Sequence, residues 1–252
     1  MTGKRACMGK VAASISHKMI GGLFLVFALG CLPLPSVQVS TQSVTVNQTA
    51  RSYRLVVPDG LPEGRPVVIA WHGFGDTAES MAKYSDLDRL ADRHQFLLVY
   101  PEVEKGGWRY PLPGAPNTNA DADVEFFDAL LSDLPRHATI DLEHVYVVGM
   151  SQGATFAQWL ASQRPRDIAA VVAHSGGAPK ELDPAVFQVP IMLIAGTEDL
   201  VHDSMQQSAA KYKTEVEFVS VPGLGHAWDS RQNEAIWEFL SRHKRVTPAV
   251  SE

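Results

Sequence analysis

The chain has 252 residues, 45% hydrophobic and 20% charged, with 19 Gly and 16 Pro; this is ordinary globular composition and excludes a disordered, collagen-like or coiled-coil chain. The length suits one large α/β domain. Lys and Arg number 22 against 28 Asp and Glu, a net charge of −6 that argues against a nucleic-acid-binding surface, and the two cysteines, Cys7 and Cys31, are too few for a disulfide framework.

Residues 1–31 hold Lys4, Arg5, Lys10 and Lys18 and no acid, then an apolar run from Met19 to Leu29, then Gly30 and Cys31. A basic stretch, a short apolar run and a small-residue end read as an export signal. The run is too short for a membrane span of about 20 residues. The tetrad Ala28-Leu29-Gly30-Cys31 also resembles a bacterial lipobox, with Ala28 where a larger aliphatic residue is usual. Cys31 is therefore a candidate lipid-attachment residue, the alternative being ordinary cleavage nearby. Two acyl chains would hold the protein at a membrane surface without spanning it. The expected location is secreted, periplasmic or lipid-anchored. Without the four basic residues of the leader the net charge falls to −10.

Residues 36–50 are polar and β-branched, with Val44 and Val46 alternating, and 52–57 (SYRLVV) is a second strand ended by Pro58-Asp59-Gly60. Both fit an antiparallel entry to a sheet. Residues 67–71 (VVIAW) form a continuous apolar run, the mark of a strand covered on both faces. The spacing of Met81, Tyr84, Leu87, Leu90 and Ala91 predicts one helix over 77–94, followed by a strand at 96–100 (FLLVY). A helix over 121–134, a strand at 145–148 (VYVV) and a helix over 154–163 come next. Strands at 168–174, 191–195 and 216–221 and helices over 204–213 and 231–242 complete the chain. Such alternation means right-handed crossovers and a mostly parallel eight-stranded sheet with helices on both faces. The long irregular stretch 102–120 is a candidate wall of a functional site. The chain divides into a leader (1–31), an N-terminal segment with the first edge strand (32–50), a catalytic domain (51–243) and a tail (244–252).

Gly149-Met150-Ser151-Gln152-Gly153 follows the strand VYVV and opens a helix. This is G-x-S-x-G in strand–turn–helix context, the pattern that lifts a serine hydroxyl above a sheet edge on a strained turn. A Cβ at either flanking glycine would collide with a neighbouring element. Serine is a poor nucleophile until a base takes its proton, so a histidine and an acid must follow, in the order Ser, acid, His. After strand IMLIA come Gly196-Thr197-Glu198-Asp199. Asp199 is the favoured acid and Glu198 the alternative, since one step of the turn decides which carboxylate faces inward. His226, in the glycine-rich loop after the last strand, is favoured over His202, three residues beyond Asp199, and over His243, at the end of the last helix, where a cation suits the helix dipole.

Two oxyanion donors are expected: the amide of Gln152, and one from the loop His72-Gly73-Phe74-Gly75-Asp76, with Phe74 preferred over Gly75. His72 is expected to tie that loop together. His174, at the carboxyl end of a strand, is a candidate substrate contact or a structural histidine. Trp108 is a candidate pocket wall or loop anchor. No His, Asp, Glu or Cys set has metal spacing and no G-x-G-x-x-G follows a strand, so no metal or cofactor is expected.

These motifs resemble the α/β-hydrolase esterases grouped with polyhydroxybutyrate depolymerases, feruloyl esterases and acetylxylan esterases. The likeness runs from about Ser52 to Phe239 and is carried by Tyr53–Pro58 (YRLVVP), Trp71–Gly75 (WHGFG), Leu90-Ala91-Asp92 with Val99-Tyr100-Pro101, residues 121–131, and the elbow. It implies an α/β-hydrolase fold with little or no cap domain. It also implies a cofactor-free serine esterase with Ser151 as nucleophile, Asp199 as acid and His226 as base. Phe74 stands where the family often has Cys, and Gly153-Ala154 where it often has two glycines. With a short tail and no polymer-binding module expected, a soluble or cell-wall-associated ester is expected over insoluble polyester. The alternatives are a peptidase or amidase with the same triad, or a non-catalytic surface-anchored binding protein. Nothing in the sequence sets an oligomeric state.

Overall fold

The computed structural model describes residues 34–104, 106–111 and 121–245. The leader with Cys31, much of the 102–120 stretch and the tail from 246 lie outside the described residues.

Strands β1 (Val37–Val46) and β2 (Thr49–Pro58) pair antiparallel, from Val37 opposite Pro58 to Val46 opposite Thr49. Only Asn47 and Gln48 connect them, with φ of 49° and 68°, the two-residue turn whose twist matches that of a hairpin. The strand expected over 36–50 therefore ends at Val46 and reverses. β3 (Arg65–Trp71), β4 (Leu97–Pro101), β5 (Ile140–Met150), β6 (Ala170–His174), β7 (Ile191–Gly196) and β8 (Val216–Val221) complete an eight-stranded sheet. Its order is β1-β2-β4-β3-β5-β6-β7-β8. β2 runs antiparallel to β1 and β4, and every pair from β4 through β8 is parallel.

Side chains of the central strands alternate between two cores, as a period of two requires. Val67, Ile69 and Trp71 of β3 and Val145 and Val147 of β5 face one side, where α3 (Ala122–Asp133), α4 (Gln152–Gln163) and α5 (His202–Ala209) add Phe126, Phe127, Phe156, Leu160 and Met205. Val68, Ala70, Tyr146 and Val148 face the other, covered by α1 (Ala78–Ser85), α2 (Leu87–His94) and α6 (Asn233–Leu240) through Met81, Leu90, Ile236 and Phe239. Burying each large side chain of this kind contributes roughly 1.5–3 kcal/mol.

The single helix expected over 77–94 is two. Asp86 adopts a left-handed conformation, φ 55°, and breaks it. The buried carbonyl of Ser85 at the break accepts a 2.7 Å hydrogen bond from the Asn233 side chain, so a residue of α6 stabilises the kink. Thr77 caps α1 in a reciprocal box with Ser80. The last helix starts at Asn233 after a 3₁₀ turn, Ser230–Gln232, and ends at Leu240. His243 thus lies beyond the helix, half-buried, and burial lowers its imidazole pKa.

Candidate active site

Four loops converge at the carboxyl ends of neighbouring strands: His72–Asp76 after β3, Ser151 after β5, Asp199 after β7 and His226 after β8. Carboxyl-end crevices are where α/β sheets bind ligands. Ser151 has φ 55° and ψ −118°, strain that a surrounding structure must hold. Part of the hold is its N–H, which donates to the His174 carbonyl at 2.9 Å. The rest is the closeness of the flanking backbone. A Cβ on Gly149 would lie 2.2 Å from the Gly153 carbonyl oxygen, and one on Gly153 would lie 2.0 Å from that of Trp71. Neither position accepts a side chain.

The structure brings Ser151, His226 and Asp199 into one line. His226 Nε2 is 2.8 Å from Ser151 Oγ, and its Nδ1 is 2.9 and 3.1 Å from the two Asp199 oxygens. Asp199 is buried and Glu198 exposed, which settles which carboxylate turns inward. The turn is fixed by a latch between the β7 and β8 loops: Thr197 N–H donates to Val221, Glu198 N–H to Leu224, and Gly223 N–H to the Thr197 hydroxyl. Burial alone would raise the Asp199 pKa. Hydrogen bonds from the Val201 N–H, His226 and Ser175 outweigh it and hold the carboxyl below its ordinary range. The other two histidines point elsewhere, His202 to Asp203 and Ser220, and His243 towards Glu215.

Gln152 is the first residue of α4, where a backbone N–H has no partner within the helix. On the facing loop, His72 Nδ1 lies 2.9 Å from the Gly73 carbonyl oxygen, which also accepts from Asp76 N–H at 3.2 Å. Carbonyl and N–H of one trans peptide point opposite ways, so these bonds turn the Phe74 N–H away from His72 and Asp76. Phe74 itself is 70% exposed at the rim. A crevice of about 380 Å³ opens here, lined by Phe74, Asp76, Tyr84, Ser151, His226 and Trp228 among others.

Two candidate substrate contacts, His174 and Trp108, fall behind the crevice. His174 is wholly buried, stacked on Trp228 at 4.8 Å, with Nε2 accepting from Asp229 N–H and Nδ1 at 3.1 Å from Ser175 Oγ. Trp108 is 3% exposed, packs edge-on against Trp71 and donates its indole N–H to the His72 carbonyl at 2.7 Å. Both are structural in this geometry: packing that neither strand end nor loop position reveals closes over them. The described part of the 102–120 stretch does not line the crevice. It is pinned by Trp108 N–H to the Gln152 side chain and by Arg109 N–H to Asp123. Asp76, Tyr84 and Trp228 were not expected at the site. A lone loop aspartate, an aromatic residue at helical spacing and a tryptophan in the loop beyond His226 carry no signal of their own. Among the described residues no group of three His, Cys, Asp or Glu is placed to hold a metal.

Residues 51–225 match the family described as Esterase PHB depolymerase. The chain is similar to the protein named "Putative esterase NocK" of Nocardia uniformis subsp. tsuyamanensis, 34% identical over 174 residues, 66% of this chain and 50% of that one. It is similar to the bifunctional acetylxylan esterase/xylanase XynS20E of Neocallimastix patriciarum, 24% identical over 76% of this chain and 33% of that one. The chain thus spans half or less of the length of these two relatives. Its fold matches that of a CE1 ferulic acid esterase from Anaeromyces mucronatus, with a TM-score of 0.65 and 19% identity over 82% of this chain and 90% of the other.

Proposed function

The chain belongs to the PHB depolymerase esterase family, and from that membership we propose that it is a carboxylic ester hydrolase acting through Ser151, His226 and Asp199 by way of an acyl-enzyme. The observation that carries this reading is the unbroken relay from Ser151 Oγ through His226 to Asp199, with contacts of 2.8 and 2.9 Å. As Ser151 Oγ bonds to the ester carbonyl carbon, its proton passes to His226 Nε2. Asp199 holds the Nδ1–H tautomer and stabilises the imidazolium. The N–H groups of Gln152 and Phe74 face the carbonyl oxygen as it becomes an oxyanion, each donor contributing about 2.7–4 kcal/mol in comparable sites. The imidazolium then protonates the departing alcohol. Water, deprotonated by the same imidazole, releases the acid and restores the serine.

The substrate is a small-molecule, cell-wall or polymer ester. A panel of short-acyl, feruloyl and 3-hydroxybutyrate esters identifies which. We also propose that the protein is exported, on the strength of the basic and apolar leader, and that Cys31 is the residue at which a lipid anchor would attach; mass spectrometry of the mature N-terminus separates an acylated Cys31 from plain cleavage. The activity is tested by p-nitrophenyl ester and peptide anilide turnover side by side. Ester hydrolysis that Ser151→Ala abolishes supports the reading. Preferred anilide turnover points to an amidase, and full ester activity in Ser151→Ala rejects the assignment.

A further inference from the structure

Asp76 brings a charge into the crevice that the relay does not use. It is the one carboxylate in the lining, and no Lys or Arg stands with it among the described residues. Its Oδ2 accepts a 3.3 Å hydrogen bond from the Tyr84 hydroxyl. The cations of the neighbouring elements are engaged with other acids: Lys83 with Glu79, and Arg54 with Glu79 and Asp88. A Cβ placed on Gly73 would stand 3.1 Å from Asp76 Oδ2 and 3.5 Å from Ser151 Cβ, so the carboxylate and the serine side chain border the same small space. Phe74, Tyr84 and Trp228 line the crevice around it, and aromatic faces also attract cations.

We propose that Asp76 is a specificity-determining residue that sets the charge preference of the site, favouring esters with a cationic group close to the scissile carbonyl and disfavouring those with a carboxylate there. The inference rests on the ester-hydrolase reading above. A fixed carboxylate in a partly dehydrated crevice attracts a cation and repels an anion more strongly than it would in open water. Asp76 is half-buried, and the bond from the neutral Tyr84 hydroxyl to its Oδ2 leaves its charge in place.

The test compares three p-nitrophenyl esters of matched length: butyrate, 4-(trimethylammonio)butyrate and hemisuccinate. The readout is the ratio of kcat/KM for the cationic over the anionic ester, wild type against Asp76→Asn, because intrinsic ester reactivity cancels between the two enzymes. The ratio should fall about tenfold in Asp76→Asn and persist in Tyr84→Phe. In the wild type it should shrink with added salt, a measurement that stands even if a variant fails to fold. An Asp76→Asn ratio within twofold of wild type, or a wild-type ratio indifferent to salt, overturns the inference while hydrolysis of the neutral butyrate leaves the esterase reading intact. Failure of the wild type to turn over any of the three overturns that reading and this inference with it.

Discussion

His174 makes the stability of this protein depend on pH in a way that can be measured. The imidazole is fully buried at the end of β6, and burial pushes its pKa from 6.5 down to about 4, against the opposing pull of Asp229 and Asp199. In the unfolded chain the same ring takes a proton near its ordinary value, so below that pH the unfolded state binds a proton that the folded state refuses. The folded state is favoured fully above pH 6.5 and loses ground steadily as pH falls towards 4. At about 1.4 kcal/mol per pH unit this amounts to about 3 kcal/mol, or a fall in Tm of about 6–12 °C for a domain of this size. Thermal unfolding between pH 7.5 and 4.5 on wild type and His174→Gln isolates the effect, because glutamine keeps an acceptor for the Asp229 N–H but does not titrate. The variant should lose much less Tm over this interval. His243, lowered in the same direction, leaves a residual slope in both proteins. Carboxyls held low, such as Asp199, lose their contribution only below the ordinary carboxyl range. Equal slopes for the two proteins would refute the reasoning.

Other perturbations address the site and its supports. Gly153→Ala sets a methyl 2.0 Å from the Trp71 carbonyl oxygen; it should destabilise by at least about 3 kcal/mol and depress esterase kcat, both seen in one purified sample by denaturant unfolding and ester turnover. Trp108→Phe removes the indole donor to the His72 carbonyl while keeping much of the ring packing, and should cost about 1–3 kcal/mol in chemical denaturation. Asp199→Asn keeps the shape of the buried side chain but disfavours the working His226 tautomer, so kcat should fall on the order of 10⁴-fold with the far-ultraviolet spectrum unchanged.

What could be read from the sequence follows how locally each feature is determined. The sheet was legible because apolar runs such as VVIAW and VYVV announce strands buried on both faces, and the elbow because Gly149-Met150-Ser151-Gln152-Gly153 is itself a local strand–turn–helix pattern, although the carbonyl that excludes a side chain at Gly153 is that of the distant Trp71. The hairpin turn at Asn47-Gln48 and the break at Asp86 were not legible, since neither position carries the glycine that usually marks a left-handed residue. The periodicity of 77–94 continues through the break, whose buried Ser85 carbonyl is met by Asn233 from the far end of the chain. The choice between Glu198 and Asp199 depends on a latch to Leu224, and the burial of His174 on Trp228. Asp76 and Tyr84 gained significance only when the fold set them beside Ser151.

The central claim is that one serine hydroxyl becomes covalently acylated. The most direct measurement is peptide mapping by mass spectrometry after treatment with a fluorophosphonate, with a slowly deacylating ester in parallel. A single adduct of matching mass on the peptide containing Ser151, lost in His226→Ala, is the predicted result. An active enzyme that acquires no adduct, or carries it on another residue, would contradict the account.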